Sequence, residues 1–182
     1  MKGREEAMRL LNEADLLCPA EEVEREVERM AAEISRALGD AFPVVLSVMG
    51  GAAVFTGRLL PRLAFPLEFG AIEVTRYNND IQGREITWRL PPRDNVRGRT
   101  VLVLDDILDE GITLAAIKKT LTEMGAARVY SAVFADKDLG RDKPVTADFV
   151  GVTVPNRYVF GFGIDAYGLW RNLPAIYALK DS

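Results

Sequence analysis

The sequence VLVLDDILDEGIT, residues 101–113, carries the strongest indication of the fold. Four apolar residues run directly into the acidic pair Asp105 and Asp106, and a short polar segment from Asp109 to Thr113 then leads into a helical pattern. A short apolar run is typical of a buried strand, and ligands of open α/β sheets bind beyond the carboxyl ends of such strands. The segment therefore predicts an α/β protein with a ligand site at this point.

Strand and helix patterns alternate on both sides of this segment. Apolar runs predict further strands over residues 44–49, 72–77, 85–90, 128–135, 149–154 and 158–162. Helical spacing predicts helices over residues 4–38 with a break at Pro19, over 52–60, and from Leu114 to Gly125. Strands that alternate with helices imply right-handed crossovers, so we expect an open, mainly parallel sheet with helices on both faces.

The composition restricts the chemistry available to the chain. None of the 182 residues is histidine, which excludes Ser-His-Asp hydrolysis, Cys-His proteolysis and histidine-ligated zinc. A general acid or base must then be Asp, Glu, Lys, Tyr or the single cysteine, Cys18. A metal site would be built from oxygen ligands, which favours magnesium, manganese or calcium.

Charge and cysteine content bear on partners and location. The formal net charge is only −4 and the charges are mixed, which argues against a nucleic-acid partner bound through a broad basic surface. A single cysteine excludes an internal disulfide, and no apolar run approaches the length of a membrane span. We therefore expect a cytoplasmic protein with neither a nucleic-acid nor a membrane partner.

The residues after the strand of segment 101–113 suit a phosphate group. The backbone N–H groups of Glu110, Gly111, Ile112 and Thr113 would lie at the N-terminus of a helix, where anions are favoured. Gly111 would allow the backbone to approach closely, and the Thr113 hydroxyl could donate to the same phosphate.

The acids need a separate explanation, because carboxylates repel phosphate. Asp105 and Asp106 are compatible with neutral ribose hydroxyls or a magnesium ion, and Asp109 would then be available to exchange a proton. A receiver domain, a Walker B strand or a plain strand end are alternatives for the acidic pair. The chain lacks a G-x-x-x-x-G-K-[ST] phosphate loop, which weakens the Walker B alternative.

At the level of whole motifs, segment 101–113 resembles the phosphoribosyl pyrophosphate signature of the type I phosphoribosyltransferases. The longer stretch from Val48 to Tyr177 is similar to the hypoxanthine-guanine phosphoribosyltransferases in particular. The resemblance implies an enzyme of purine salvage that uses Mg²⁺ and transfers phosphoribose to hypoxanthine or guanine. The products would be IMP or GMP and pyrophosphate.

The resemblance also implies how the chain is organised. A single domain would span residues 1–182, with N-terminal helices in 1–40, a core in 41–154 and a contribution of 155–182 to a hood over the purine. Relatives commonly form dimers or tetramers, so a homodimer or homotetramer is expected. The role of residues 1–40 is otherwise left open.

Roles on the sugar side follow from the resemblance. Asp109 would accept or share a proton at purine N7, while Asp105 and Asp106 would hold the ribose hydroxyls. Glutamate is usual where Asp105 stands. The residues from Glu110 to Thr113 would bind the phosphate of the ribose.

Pyrophosphate would be held by a loop and an arginine. Met49 and Gly50 lie in the sequence Val48–Gly51, which resembles the family's pyrophosphate loop with its unusual cis peptide, although lysine is usual at Met49. Arg171 would contact the same group. The polar segment from Tyr77 to Gly83 resembles the family's flexible lid, whose closure would exclude water.

The base and the metal would be held by residues near the C-terminus of the chain. Lys137 would donate to the six-position oxygen and N7 of the purine, Tyr158 would stack on the base, and the backbone of Val159 would contact the purine edge. Asp165, together with Asp106, would bind magnesium.

Two alternatives stay open: a ligand sensor of the same fold that regulates transcription, and an enzyme specific for xanthine or adenine.

Overall fold

The computed structural model describes residues 3–76 and 86–180. Helices and strands follow one another in the order α1 Arg4–Glu13, β1 Asp15–Cys18, α2 Ala20–Leu38, β2 Val44–Met49, α3 Ala53–Leu59, β3 Glu68–Arg76, β4 Ile86–Leu90, β5 Thr100–Leu108, α4 Ile112–Glu123, β6 Arg128–Asp138, β7 Phe149–Pro155, β8 Val159–Phe160 and β9 Ile176–Ala178. Within the described ranges, we find no helix with the length and apolar character that a bilayer crossing requires.

Six strands form the main sheet, in the order β4-β3-β2-β5-β6-β7. All neighbouring strands are parallel except β3 and β4, which form an antiparallel hairpin. The predicted open, mainly parallel α/β sheet is confirmed. The predicted lid from Tyr77 to Gly83 lies outside the described residues.

Helices cover both faces of this sheet, as the sequence predicted. In β5, Leu102 and Leu104 pack in the cluster that contains α2 and α3, whereas Val101 and Val103 pack in the cluster that contains α4. All four side chains are completely buried. Successive side chains of a strand point to opposite faces, so an uninterrupted apolar run is what a strand with both faces covered requires.

A second sheet of three antiparallel strands, β1-β9-β8, joins the two ends of the chain. We call this sheet the hood. Residues 155–182 contribute two strands to this sheet and the N-terminal segment adds a third, while the placement of this sheet over a purine stays a prediction.

The prediction that helix continues through Leu17 is wrong. Residues Asp15–Cys18 form β1, which pairs with β9, and Arg157 donates to Asp15 Oδ2 at 2.7 Å from the other side of the hood. The apolar residues of this segment are compatible with helical spacing, but pairing with a distant strand decides its conformation. Pro19, the predicted break, and Gly39 flank α2.

Candidate active site

A cavity of about 370 Å³ opens at the carboxyl ends of β2 and β5. Four parts of the chain line it: the end of β2 with the loop that follows, Val74 of β3, the end of β5 with the start of α4, and the segment after β8. The lining includes most of the predicted site residues, namely Met49, Gly50, Asp105, Asp106, Asp109, Gly111, Thr113, Asp165 and Arg171. The site lies where ligands of open α/β sheets bind.

One end of the cavity is formed by the start of α4. Gly111 precedes the helix in the left-handed conformation, with φ of 80°, and both Gly111 and Thr113 line the cavity. A β-carbon at Gly111 would lie 3.3 Å from Pro144, so the position is tight as well as left-handed. The first N–H groups of a helix have no partner within the helix, so this end can bind an anion.

The acidic pair lies inside β5, because the strand extends to Leu108 and not only to Leu104 as predicted. Asp105 Oδ1 accepts from the backbone N–H of Asp106 at 3.0 Å, and Asp106 Oδ1 accepts from that of Ile107 at 2.8 Å. Burial raises the pKa of Asp106 above its ordinary value. Asp106 therefore ionises less readily than an exposed aspartate.

Glycines allow the walls of the cavity to approach Asp106. A β-carbon at Gly51 would lie 2.0 Å from Asp106 Oδ2, and one at Gly163 would lie 2.2 Å from the Gly51 carbonyl oxygen. Only glycine fits at either position without movement of the neighbouring atoms. Gly51 and Gly163 are thus structural requirements of the site, and the sequence indicated them only through the Gly50-Gly51 and Phe-Gly-Phe-Gly patterns.

Arg171 connects the hood side of the cavity to β5. Its guanidinium lies 2.7 Å from Asp165 Oδ1 and 3.8 Å from Asp106 Oδ2, and it donates to the Gly163 carbonyl at 2.6 Å. Of the described residues that line the cavity, four carry carboxylates and Arg171 carries the positive charge. The local field therefore favours a cation.

Asp109 pairs with Lys137 at the edge of the cavity. Lys137 Nζ lies 3.0 Å from Asp109 Oδ2, and the lysine side chain is 13% exposed against 42% for the aspartate. The register of β5 and β6, in which Leu108 pairs with Asp136, brings the two residues together. Lys137 lies within β6, which is longer than predicted, and it lines a neighbouring cavity of about 320 Å³.

A second lysine, Lys143, contacts the backbone next to the Asp109–Lys137 pair. Lys143 Nζ donates to the Leu108 carbonyl at 2.7 Å and pairs with Asp136. Its side chain is mostly buried. Lys143 thus fixes the backbone immediately before Asp109, a contact that sequence reasoning missed because the loop after β6 has no recognisable pattern.

Besides Lys137, four further predicted residues do not line the main cavity. Glu110 lies 3.8 Å from Arg141 in an ion pair, and Ile112 is the first residue of α4. Tyr158 precedes β8 with its ring exposed, whereas Val159 is buried and pairs with Ala178 of β9.

Met49 is the last residue of β2, and Gly50 begins the loop that follows. The peptide bond between them is cis, as the resemblance implied for this loop. The Met49 side chain is partly exposed and contributes an apolar surface to the cavity. Sequence reasoning assigned no site role to the other apolar lining residues, because such residues look like ordinary core: Val48, Val74, Ile107, Leu108, Leu114 and Ile164.

Comparison with known proteins identifies the family. The family model of the phosphoribosyl transferase domain matches residues 14–167, which is more than half of the chain. The chain belongs to the phosphoribosyltransferase family. The resemblance that the motifs predicted is confirmed.

Curated members of the family are similar over nearly the whole chain. The hypoxanthine-guanine phosphoribosyltransferase of Bacillus subtilis (strain 168) is 32% identical, over 91% of this chain and 92% of that protein. The hypoxanthine-guanine-xanthine phosphoribosyltransferase of Tritrichomonas foetus is 33% identical, over 89% of each.

Solved structures from the phosphoribosyltransferase family share the fold. A hypoxanthine phosphoribosyltransferase from Staphylococcus aureus aligns with a TM-score of 0.84 and 25% identity, over 93% of this chain and 95% of that one. A hypoxanthine-guanine-xanthine phosphoribosyltransferase aligns with a TM-score of 0.78 and 31% identity, over 93% and 97%. The comparisons confirm the predicted fold and the predicted class of enzyme, a phosphoribosyltransferase.

Proposed function

We propose that this chain transfers the 5-phosphoribosyl group from phosphoribosyl pyrophosphate to a 6-oxopurine, giving a purine nucleotide and pyrophosphate in purine salvage. The observation that carries this proposal is that an ion pair and the N-terminus of a helix lie side by side at the end of β5. The Asp109–Lys137 pair, which suits a purine, lies next to the start of α4, which suits a phosphate. The relatives named as hypoxanthine-guanine phosphoribosyltransferases support the same activity.

The sugar phosphate would lie between β5 and α4. Backbone N–H groups of Glu110, Gly111, Ile112 and Thr113 would bind the 5-phosphate. Asp105 and Asp106 would accept hydrogen bonds from the ribose hydroxyls, which are neutral and therefore tolerate the negative charge of the pair.

The base would lie against the Asp109–Lys137 pair. Lys137 would donate to the six-position oxygen and Asp109 would accept or share the proton at N7, a combination that adenine, with its amino group, does not match. Tyr158 would stack on the base, and the backbone of Val159 would contact its edge. The ion pair, at 3.0 Å, places the carboxylate and the ammonium side by side, so that one base could contact both.

The reaction is a displacement at the anomeric carbon. A purine ring nitrogen forms the new C–N bond while the C–O bond to pyrophosphate breaks, so the electron pair of that bond leaves with pyrophosphate. Asp109 takes up or shares the proton that the purine loses. No covalent intermediate with the protein is required, which is consistent with a chain that has no histidine and a buried cysteine.

The leaving group would be held by Met49, Gly50 and Arg171. In the described ranges 3–76 and 86–180, no group of three potential ligands is arranged to hold a metal alone. Magnesium commonly binds through one or two carboxylates together with substrate phosphates, so Asp165 and Asp106, at the arginine, form a donor set that fits it. When bound, the ion would neutralise the developing charge of pyrophosphate.

The test is incubation of the protein with magnesium, phosphoribosyl pyrophosphate and one of four bases, followed by measurement of nucleotide and pyrophosphate. Hypoxanthine and guanine should be converted, and adenine should not. Xanthine is a specific second candidate, because the Tritrichomonas foetus relative is named for it as well. Conversion of adenine alone would overturn the proposed role of Lys137, and binding without turnover would favour a ligand sensor.

The cytoplasmic location and the assembly into a homodimer or homotetramer remain predictions. Sedimentation analysis of the purified chain would decide the second.

A further inference from the structure

A tight turn on the hood side of the site carries an aromatic residue that the proposed reaction does not use. Ala166 and Leu169 exchange backbone hydrogen bonds of 2.8 and 3.0 Å, and Asp165 Oδ2 accepts from the N–H of Gly168 at 2.7 Å. Tyr167 lies at the tip of this turn, two residues after Asp165. The turn is therefore connected directly to the wall of the main cavity.

The backbone of the turn adopts conformations that large side chains rarely adopt. Tyr167 has φ of 53° and Trp170 has φ of 69°, both in the left-handed region that favours glycine. Such conformations cost free energy and persist only where surrounding contacts impose them. One of these contacts comes from α1, because Trp170 Nε1 donates to the Ala7 carbonyl at 3.1 Å.

Tyr167 in turn fixes the ring of Tyr158. The two ring centroids are 5.3 Å apart and their planes differ by 16°, which is a stacked arrangement. Tyr158 Oη also accepts from the backbone N–H of Tyr167 at 3.3 Å. Tyr158 is 44% exposed, so without these contacts its ring would move among several rotamers.

We propose that Tyr167 is a positioning residue for the purine base, which acts by holding Tyr158 in the plane that stacks on the base. This inference rests on the proposed function, because it requires the stacking role of Tyr158. The base would form the third layer of a stack whose first two layers are already ordered before binding. Ordering a side chain in advance removes the entropy cost from the binding step.

A purely structural role explains Tyr167 less well. The residue is 57% exposed and so contributes little to the core, yet it retains an unfavourable backbone conformation. The inference also gives a role to the N-terminal helix, because α1 holds the same turn through Ala7 and Trp170.

The test compares three variants of the turn in the full chain. Tyr167→Ala should raise the KM for hypoxanthine about 2- to 12-fold, the range expected for one aromatic pair, and should leave the KM for phosphoribosyl pyrophosphate nearly unchanged. Tyr167→Phe retains the ring and should restore the wild-type KM. Leu169→Ala is the matched control, since Leu169 is an exposed residue of the same turn.

A double-mutant cycle with Tyr158→Leu separates this inference from the proposed function. If Tyr167 acts through Tyr158, then Tyr167→Ala has no further effect on the KM for the base once Tyr158 is leucine. An equal rise in both KM values, no change in either, or an undiminished effect in the Tyr158→Leu background would overturn the inference. If Tyr158→Leu itself leaves the KM for hypoxanthine unchanged, the stacking role in the proposed function fails, and the inference fails with it.

Discussion

Replacement of Asp109 by asparagine isolates the proton-transfer role of this residue. The variant keeps the size and shape of the side chain, and its amide oxygen can still accept from Lys137 Nζ, which lies 3.0 Å from Asp109 Oδ2 in the unmodified chain. It cannot take up a proton from the purine. We expect turnover to slow by roughly 10²- to 10⁴-fold, as is typical when a general acid–base group is lost.

The expected effect on the fold is much smaller. Asp109 is 42% exposed, and an ion pair of this kind contributes at most about 1 kcal/mol to the free energy of unfolding. The expected loss of turnover corresponds to about 3–5 kcal/mol of lost transition-state stabilisation. The loss of rate therefore exceeds any loss of stability and cannot be attributed to unfolding.

The assay is steady-state formation of nucleotide from hypoxanthine at saturating phosphoribosyl pyrophosphate, with thermal unfolding of the same sample. Asp142→Asn is the matched control, because Asp142 is an exposed aspartate in the loop after β6. Full activity of Asp109→Asn would refute the reasoning, as would an equal loss in the control.

Three further substitutions test other parts of the site. Lys137→Ala should raise the KM for 6-oxopurines by roughly 10- to 100-fold, which corresponds to the loss of one charged hydrogen bond. The KM for phosphoribosyl pyrophosphate should change less. An equal change in both KM values would indicate a structural role for Lys137. Gly111→Ala forces a side chain into a position with φ of 80°, at a cost of roughly 1–2 kcal/mol, and titration calorimetry should show weaker binding of phosphoribosyl pyrophosphate. Asp106→Asn tests the pH dependence of stability. Burial raises the pKa of the Asp106 carboxyl, so the folded protein holds this proton more tightly than the unfolded chain does. The folded protein therefore loses stability as pH rises from the ordinary aspartate range towards the raised pKa. Asp106→Asn should therefore raise Tm at neutral pH but not in acid, while turnover falls; a lower Tm at neutral pH would contradict the assigned effect of burial.

Local patterns predicted the main sheet because its strands are apolar throughout. Segment 101–113 indicated the position of the site as well as the fold, since the end of a buried strand is also where ligands bind. The length of β5 could not be predicted from this pattern. Pairing with β6, in which Leu108 lies opposite Asp136, continues the strand past the acids.

The hood was harder to predict because it joins distant parts of the chain. Segment 15–18 is compatible with helical spacing, and only its pairing with β9 decides that it is a strand. The three residues of β9 are too few to form a recognisable pattern.

Within the site, sequence patterns indicated which residues take part but not how they contact one another. Asp109 and Lys137 were assigned separately, and their ion pair depends on strand register. The bridge from Arg171 to two carboxylates likewise depends on how the hood sits on the sheet. Tyr167 carried no signal, because an exposed aromatic residue in a turn has many explanations.

A crystal structure of the protein with IMP and magnesium would show whether one site at the end of β5 binds both the sugar phosphate and the purine, on which the proposed function depends. We expect the phosphate to accept hydrogen bonds from the backbone of residues 110–113, the base to contact Asp109 and Lys137, and the ring of Tyr158 to lie parallel to the base. A nucleotide bound elsewhere, or one with its base in contact with the start of α4, would contradict the proposed site.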